Sequence, residues 1–334
     1  MNGRRLFRGA VRILAAVFVS IAAIVAMLVL VYTQPAVQKI PTTVPTAGDP
    51  DRLRAHVTYL ATTTFPRDSD HPAVLRQAAD YIEKALFTAG GRVTLQDFEV
   101  QGSTYRNVIA TFGPETGPVF VFGAHYDSFD ELPAADDNAS GVAGMLELGR
   151  LLGAAPPRVR VQLVAYCLEE PPFFGSTVMG SAFHARALRE SREPVLGMAS
   201  LEMIAYYAPE QHWNNLLLQV LYPNRGDFLM VVGRWQDRRL VRYMKQSMLG
   251  ASAMRVRSVV TLGLPPMDLS DHRNYWSSGY LAVLVTDTAF IRNPNYHTDK
   301  DLPVTLDYGK MAQVVEAMYG VAMHLDTYMV GPGD

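Results

Sequence analysis

Between Ile13 and Tyr32 the chain runs for 20 residues without a charge, interrupted only by the hydroxyl of Ser20. At about 1.5 Å per helical residue such a run matches the roughly 30 Å hydrocarbon core of a bilayer. One transmembrane helix is therefore expected over 13–33. Arg4, Arg5, Arg8 and Arg12 lie before the run or at its edge, and no further arginine follows until Arg52. The positive-inside bias then places residues 1–12 in the cytoplasm and the bulk of the chain outside it. A cleaved signal peptide is the competing reading. The run is longer than the usual apolar core of about 7–15 residues, and no clear small-x-small cleavage pattern follows. Residues 34–49, with Pro35, Pro41 and Pro45, read as an extended stalk, because proline cannot continue a helix. A folded domain is expected over 50–330.

The 334 residues are 49% hydrophobic and 19% charged, enough apolar material for one large core in addition to the anchor. Past residue 33 the chain carries 26 basic against 32 acidic residues. A mildly acidic domain lacks the basic stripe that phosphate neutralisation needs, so nucleic acid is excluded as a partner. Cys167 is the single cysteine, which rules out an intramolecular disulfide and any cysteine-rich metal module. Its setting in Val161-Gln-Leu-Val-Ala-Tyr-Cys-Leu168 reads as a buried, inert strand position. Any bound metal must be held by His, Asp and Glu. Nothing in the sequence specifies an oligomeric state.

Hydrophobic periodicity predicts helices near 50–62, 73–89, 138–153, 175–189, 236–249 and 306–327. Strands are predicted near 93–100, 105–112, 118–124, 159–167, 195–203, 227–232 and 281–286. The first two strands suit a hairpin. Strands separated by helices favour parallel neighbours, so the expected fold is α/β, with a mixed, mainly parallel central sheet flanked by helices.

Chemistry gathers where the strands end. Val119-Phe-Val-Phe-Gly-Ala-His125-Tyr-Asp127 is an apolar strand closing on His-x-Asp. Residues i and i+2 point the same way in an extended chain, so Asp127 can orient the His125 ring for metal binding. Asp136-Asp137-Asn138 precedes a helix whose small residues Ala139, Ser140, Gly141 and Ala143 allow close approach to the sheet. Adjacent acids at a helix start are ordinarily caps, but their place near His-x-Asp makes a metal-bridging carboxylate plausible. The strand from Val159 ends in Glu169-Glu170, a costly like-charge pair unless a cation or a shared proton relieves it. One such carboxylate can ligate while its neighbour accepts a proton from water.

Taken in order, His125-x-Asp127, Asp136-Asp137-Asn138-Ala-Ser-Gly141, Glu169-Glu170 with Gly175-Ser176, Ser270-Asp271-His272 and His297-Thr298 resemble the M28 zinc aminopeptidases over about residues 100–300. The resemblance implies a zinc-dependent exopeptidase fold and two Zn2+ ions per chain. It assigns His125 to one zinc, Asp136 as the bridge, Glu170 and His297 to the second zinc, Glu169 as general base and Asp127 as the partner of His125. The remaining ligand in the family is an Asp, and here the corresponding stretch Ser200-Leu-Glu202-Met-Ile-Ala-Tyr206 offers Glu202. Its extra methylene moves the carboxylate, so a single-zinc enzyme is the alternative.

A second departure is the stretch ahead of Ser-Asp-His, Leu264-Pro-Pro-Met267-Asp268, which lacks the tyrosine that some members use there. Tyr206, Tyr207, Tyr275 and Tyr296 remain as candidate donors to the developing oxyanion. His272 is expected to support the site structurally. His56, His71, His184, His212 and His324 are expected in surface or capping roles. The implied reaction is hydrolysis of a peptide or aminoacyl substrate by metal-activated water, with Glu169 shuttling the proton. The alternatives are a glutaminyl-cyclase-like acyltransferase, which resembles a single-zinc version of this site, a carboxypeptidase using Arg292, and a non-catalytic membrane-anchored binding domain.

Overall fold

The computed structural model describes residues 2–35, 38–261 and 267–330. α1 (Asn2–Thr33) is one unbroken helix whose most apolar stretch, Phe7–Thr33, is long enough to cross a membrane and has no protein packed around it. Only its last turn touches the domain. There the Thr33 carbonyl accepts from Lys245 Nζ at 3.0 Å and from Ser258 Oγ at 2.6 Å.

The domain follows the predicted alternation closely: α2 (Pro50–Thr58), α3 (Pro72–Thr88), β1 (Arg92–Val100), β2 (Ser103–Phe112), β3 (Val119–His125), α4 (Gly141–Ala154), β4 (Arg160–Tyr166), α5 (Gly180–Glu190), β5 (Val195–Glu202), α6 (Leu216–Leu221), β6 (Leu229–Arg234), α7 (Arg238–Ala251), β7 (Val256–Thr261), α8 (His272–Ser277), β8 (Ala282–Thr286), α9 (Tyr308–Met323) and α10 (Leu325–Val330). Three of these were not foreseen. α6 and α8 have six residues each, too few for a 3.6-residue period to register, and β7 breaks strict alternation with Ser258-Val-Val260. α5 starts five residues later than expected, at Gly180.

The stalk also differs from its reading. Residues 38–49 contain no helix or strand, but they lie along the domain. Ile40 donates its N–H to Gln246 O and Thr42 to Gly250 O, while Gly48 and Asp49 donate to the carboxylates of Glu316 and Glu147. Gly250 is required here, because a Cβ at that position would overlap the Ile40 carbonyl.

The sheet runs β1-β2-β4-β3-β5-β8-β6-β7. β1 and β2 form the predicted hairpin, turned by Gln101 and Gly102, both at positive φ as a two-residue turn requires. β4, β3, β5 and β8 are parallel, whereas β6 runs antiparallel to β8 and parallel to β7. β3 is buried at every position, which explains its continuous apolar run. On one face, α2, α3, α4, α7 and α9 share a core with Phe120, Phe122 and Leu163; on the other, α5 and α8 cover Val121, Val164 and Met198. The chain leaves β3 through α4 to β4 and then crosses through α5 to β5 on the opposite side of β3. Strand order therefore reverses at β3, the place where open α/β sheets hold their ligands beyond the strand ends.

Candidate metal centre

His125 closes β3, Glu169 and Glu170 follow β4, and Glu202 closes β5, so three adjacent parallel strands deliver four side chains to one edge. Four non-glycine residues beside or within this edge, Ala134, Leu168, Met203 and His297, adopt positive φ. Such backbone is costly for side-chain-bearing residues and persists where surrounding contacts enforce it, typically at functional sites.

The His125 ring is fully buried, and its Nδ1 lies 3.1 Å from the Asp127 carbonyl and 3.5 Å from Asp127 Oδ1. Asp127 Oδ2 accepts the Glu170 N–H at 3.0 Å, tying the ends of β3 and β4 together. With Nδ1 engaged, His125 Nε2 faces Glu202 Oε1 at 3.3 Å, Asp137 Oδ1 at 3.4 Å and Glu169 Oε2 at 3.9 Å. The second oxygen of Asp137 looks the other way, 3.1 Å from His297 Nε2, which is itself 3.4 Å from Glu170 Oε1. Asp137 is thus shared by two donor sets, His125–Asp137–Glu202 and Asp137–Glu170–His297.

This corrects the sequence expectation for Asp136. Its carboxylate is fully buried but turned from the cluster: Oδ1 accepts from Ala205 N at 3.1 Å, Oδ2 from Asn293 Nδ2 at 2.9 Å, and the carboxyl meets that of Asp287. The place between the two donor sets falls to its neighbour because the backbone leaves helical geometry at Asp137 (φ −104°, ψ 86°) and Asn138 (φ −134°, ψ 38°), which swings successive side chains apart. Asp301 fixes this loop by accepting the N–H groups of both Asp136 and Asp137. Asn138 then joins it to β5, donating to Leu201 O and accepting from Gly141 N and Met203 N. The small residue at 141 is needed as expected: a Cβ there would stand 2.5 Å from the Leu201 carbonyl and closer still to the Asn138 side chain.

Glu202 does reach the cluster despite its extra methylene. Its Oε2 accepts from Ser270 Oγ at 2.7 Å, and Ser270 is paired with Ser200 at 2.9 Å. Within Ser270-Asp271-His272, Ser270 thus contacts the cluster, and His272 Nε2 bonds the Met267 carbonyl at 2.7 Å. His297 is held flat between two rings, Phe129 at 4.1 Å and Tyr296 at 3.8 Å between centroids. Of the other histidines, His184 departs from expectation: it is buried, and its Nδ1 meets the Tyr275 hydroxyl, which also bonds Tyr166. That leaves Tyr275 committed elsewhere. Tyr207 is likewise engaged with Ile204 O, while Tyr296 lies beside the carboxylates. The sequence stretch 264–266, considered for an oxyanion donor, lies outside the described residues.

Electrostatics show what the cluster lacks. Burial, reinforced by the neighbouring carboxylates, pushes Glu169 well above the usual carboxylate range and Glu170 up to about 8, while burial raises Glu202 to about 7. Burial opposes ionisation of Asp137 as well, but the facing imidazoles of His125 and His297 hold its carboxyl below the ordinary range. Against burial, the facing carboxylates raise His297 to about 9 and His125 well above its ordinary value. Protons are thus recruited to neutralise an acidic, dry site. A divalent cation does the same work better, and Glu170 Oε1 and His297 Nε2, buried and facing each other at 3.4 Å without hydrogen-bond alignment, are donors aimed at such an ion. Imidazole nitrogens combined with carboxylate oxygens are a donor set suited to zinc.

Sequence reasoning missed Asp137, Asn138, Ser270 as the partner of Glu202, and Arg67. Arg67 is wholly buried near the acids, with its guanidinium bonded to the carbonyls of Leu60, Tyr126, Pro133 and Ala134. Nothing local in Phe65-Pro-Arg67 signals that role.

Beyond the cluster opens a cavity of about 210 Å3, walled by apolar side chains including Phe174, Trp213, Leu218, Met230, Val259 and Phe290, with Glu169, Glu170 and Glu202 at its inner end.

Residues 107–322 match the family model described as Peptidase family M28. The protein YfbL of Escherichia coli K12 is 46% identical over 301 residues, covering 86% of this chain and 92% of that protein. Among solved structures, BSAP, a zinc aminopeptidase from Bacillus subtilis, aligns with a TM-score of 0.66 at 14% identity, covering 85% of this chain and 95% of that one. A glutaminyl cyclase from Bacteroides thetaiotaomicron aligns with a TM-score of 0.63 at 17% identity, covering 83% and 98%. At such identities the two structures speak for the fold alone. The region matched by the family model holds every residue of the cluster, and the chain belongs to peptidase family M28.

Proposed function

We propose that this protein is a membrane-anchored, zinc-dependent aminopeptidase that removes apolar N-terminal residues. The observation that carries the reading is the pair of donor sets sharing Asp137, with Glu169 beside them and an apolar cavity leading away. His125, Asp137 and Glu202 would hold one zinc, and Asp137, Glu170 and His297 a second. Bound there, zinc would supply Lewis acidity, lowering the pKa of water towards neutral and polarising a scissile carbonyl.

The chain's own residues do the rest. Glu169, buried beside the donors but facing His125 only at 3.9 Å, accepts the water's proton as its oxygen adds to the carbonyl carbon. As the C–N bond breaks, Glu169 returns that proton to the leaving amine. Asp127 keeps the His125 ring in one tautomer and orientation. Tyr296, stacked on His297 at the cavity wall, is placed to donate to the developing oxyanion.

A free N-terminus suits this site better than a free C-terminus. No Lys or Arg is among the described residues lining the cavity, so a substrate carboxylate has no counter-charge there, whereas the carboxylates favour an α-ammonium. Arg292, the candidate for carboxylate binding, is buried instead, with Nε on Gln211 at 2.7 Å and its guanidinium over Phe228 and Tyr207. Two donor sets favour a peptidase over the single-zinc cyclase, and an apolar cavity is a poor match for a glutamine side chain. The arginine-rich start of α1 favours a catalytic domain outside the cytoplasm.

The test separates base from ligand. Glu169→Gln keeps shape but cannot accept a proton, so zinc content should persist while turnover of a leucyl substrate falls by about 10²–10⁴-fold. Glu170→Gln should lose metal, since a neutral amide is a poor zinc ligand. Reversed metal contents exchange the two roles. Unchanged activity in both variants, or conversion of an N-terminal glutaminyl peptide with loss of ammonia but no peptide cleavage, overturns the reading.

A further inference from the structure

α6 is an anomaly among the helices of the domain. Its sequence Leu216-Leu-Leu-Gln-Val-Leu221 is almost wholly apolar, yet Leu216 and Val220, one turn apart on the same face, are 75% and 72% exposed. Leu218 points inward and lines the cavity that leads to the metal centre. Leu269 and Phe290, which line the same cavity, are themselves 39% and 49% exposed. An apolar patch of this kind on a water-facing surface marks a contact with something apolar.

The end of α1 indicates what that is. Tyr222, the residue that ends α6, donates its hydroxyl to the Ser258 carbonyl at 2.8 Å, and Ser258 Oγ donates to the carbonyl of Thr33, the last residue of α1, at 2.6 Å. α6 and the exit of the apolar helix are thus separated by one residue of β7. Val31 and Tyr32 pack in the same cluster as Trp213, Leu217, Leu218, Leu221 and Tyr222. Tyrosine and tryptophan at the end of an apolar span are the residues that favour the membrane–water boundary. Arg257, exposed on β7 and close enough to act on Tyr222 and Lys245, adds a cation at the level where lipid headgroups would lie.

We propose that α6 dips its Leu216–Val220 face into the bilayer beside α1, so that the mouth of the apolar cavity opens at the lipid surface and receives substrates adsorbed there. This rests on α1 being a membrane anchor. A short apolar segment beside a span needs little affinity of its own, because the anchor holds it at the surface.

The full chain lends itself to the measurement, since Cys167 is fully buried and leaves an introduced cysteine as the accessible thiol. Leu216→Cys, Val220→Cys, Val19→Cys in α1, and Phe87→Cys, 71% exposed on α3 near the opposite edge of the sheet, would each carry an environment-sensitive fluorophore. The chains are reconstituted in phosphatidylcholine–phosphatidylglycerol vesicles with nitroxide lipids. The proposal expects quenching at 216 and 220 at least about threefold stronger than at 87, greatest with nitroxides near the headgroups, while 19 is quenched by mid-chain nitroxides. Quenching at 19 with 216 and 220 no different from 87 overturns the proposal and leaves the anchor standing. Absence of quenching at 19 overturns both.

Discussion

Asp136 and Asp137 are chemically identical neighbours that the structure gives different work, so exchanging each for asparagine should perturb different observables. Asp137→Asn replaces a carboxylate whose two oxygens face the two histidines at 3.4 and 3.1 Å. Each donor set falls from three charged or imidazole ligands to two. Loss of a partner outside the ligand shell typically costs about 10–100-fold in metal affinity, so losing a shared ligand should exceed about 10²-fold. Asp136→Asn removes nothing from the cluster. Burial raises Asp136 and Asp287, whose carboxyls meet, and an asparagine mimics a protonated member of that pair. The amide keeps an acceptor for Ala205 N, so the cost is that of one imperfect hydrogen bond at Asn293, about 1 kcal/mol, or about 2–4 °C in Tm for a domain of this size. Metal analysis, differential scanning fluorimetry and leucyl-p-nitroanilide hydrolysis on the detergent-solubilised chains read all three quantities. Asp137→Asn should be folded, metal-poor and inactive; Asp136→Asn should be slightly less stable, metal-loaded and active. If Asp136→Asn loses the metal while Asp137→Asn keeps it, the assignment of the bridge is wrong.

Tyr296→Phe should lower kcat by about 10–10³-fold with zinc content unchanged, because it removes a donor and preserves the ring that stacks on His297; an unaltered kcat removes Tyr296 from the mechanism. Cys167, fully buried with its thiol pushed far above the ordinary range by burial, should resist thiol reagents in the native chain and react only after denaturation. Rapid native labelling, or inactivation by such a reagent, would contradict its reading as a strand residue.

Much of this arrangement was legible because strand ends are legible. The run into His125 and the run into Glu169-Glu170 fix both the element and its terminus, and parallel neighbours bring those termini together without further information. The Asp136–Asp137 choice was not legible, since a local break from helical backbone decides it and both residues sit in the same acidic pair. Partners such as Ser270 for Glu202, or Asp301 for the Asp136–Asp137 loop, come from more than 60 residues away and leave no local pattern. The stalk was half legible. Its prolines announce extended chain, but its hydrogen bonds to the α7 backbone depend on a glycine at 250 whose purpose appears only once the two segments meet.

If the Asp137-centred cluster holds zinc and the zinc is needed for peptide-bond hydrolysis, activity must follow the metal. Metal analysis of the full-length chain, before and after chelation and on zinc titration, tests it directly when followed alongside hydrolysis of an N-terminal leucyl peptide. Two zinc ions per chain are expected, with loss of activity as they are removed and recovery on their return, and no recovery in Asp137→Asn. A folded chain that binds no zinc, or one that hydrolyses the peptide equally well after its metal is gone, would contradict it.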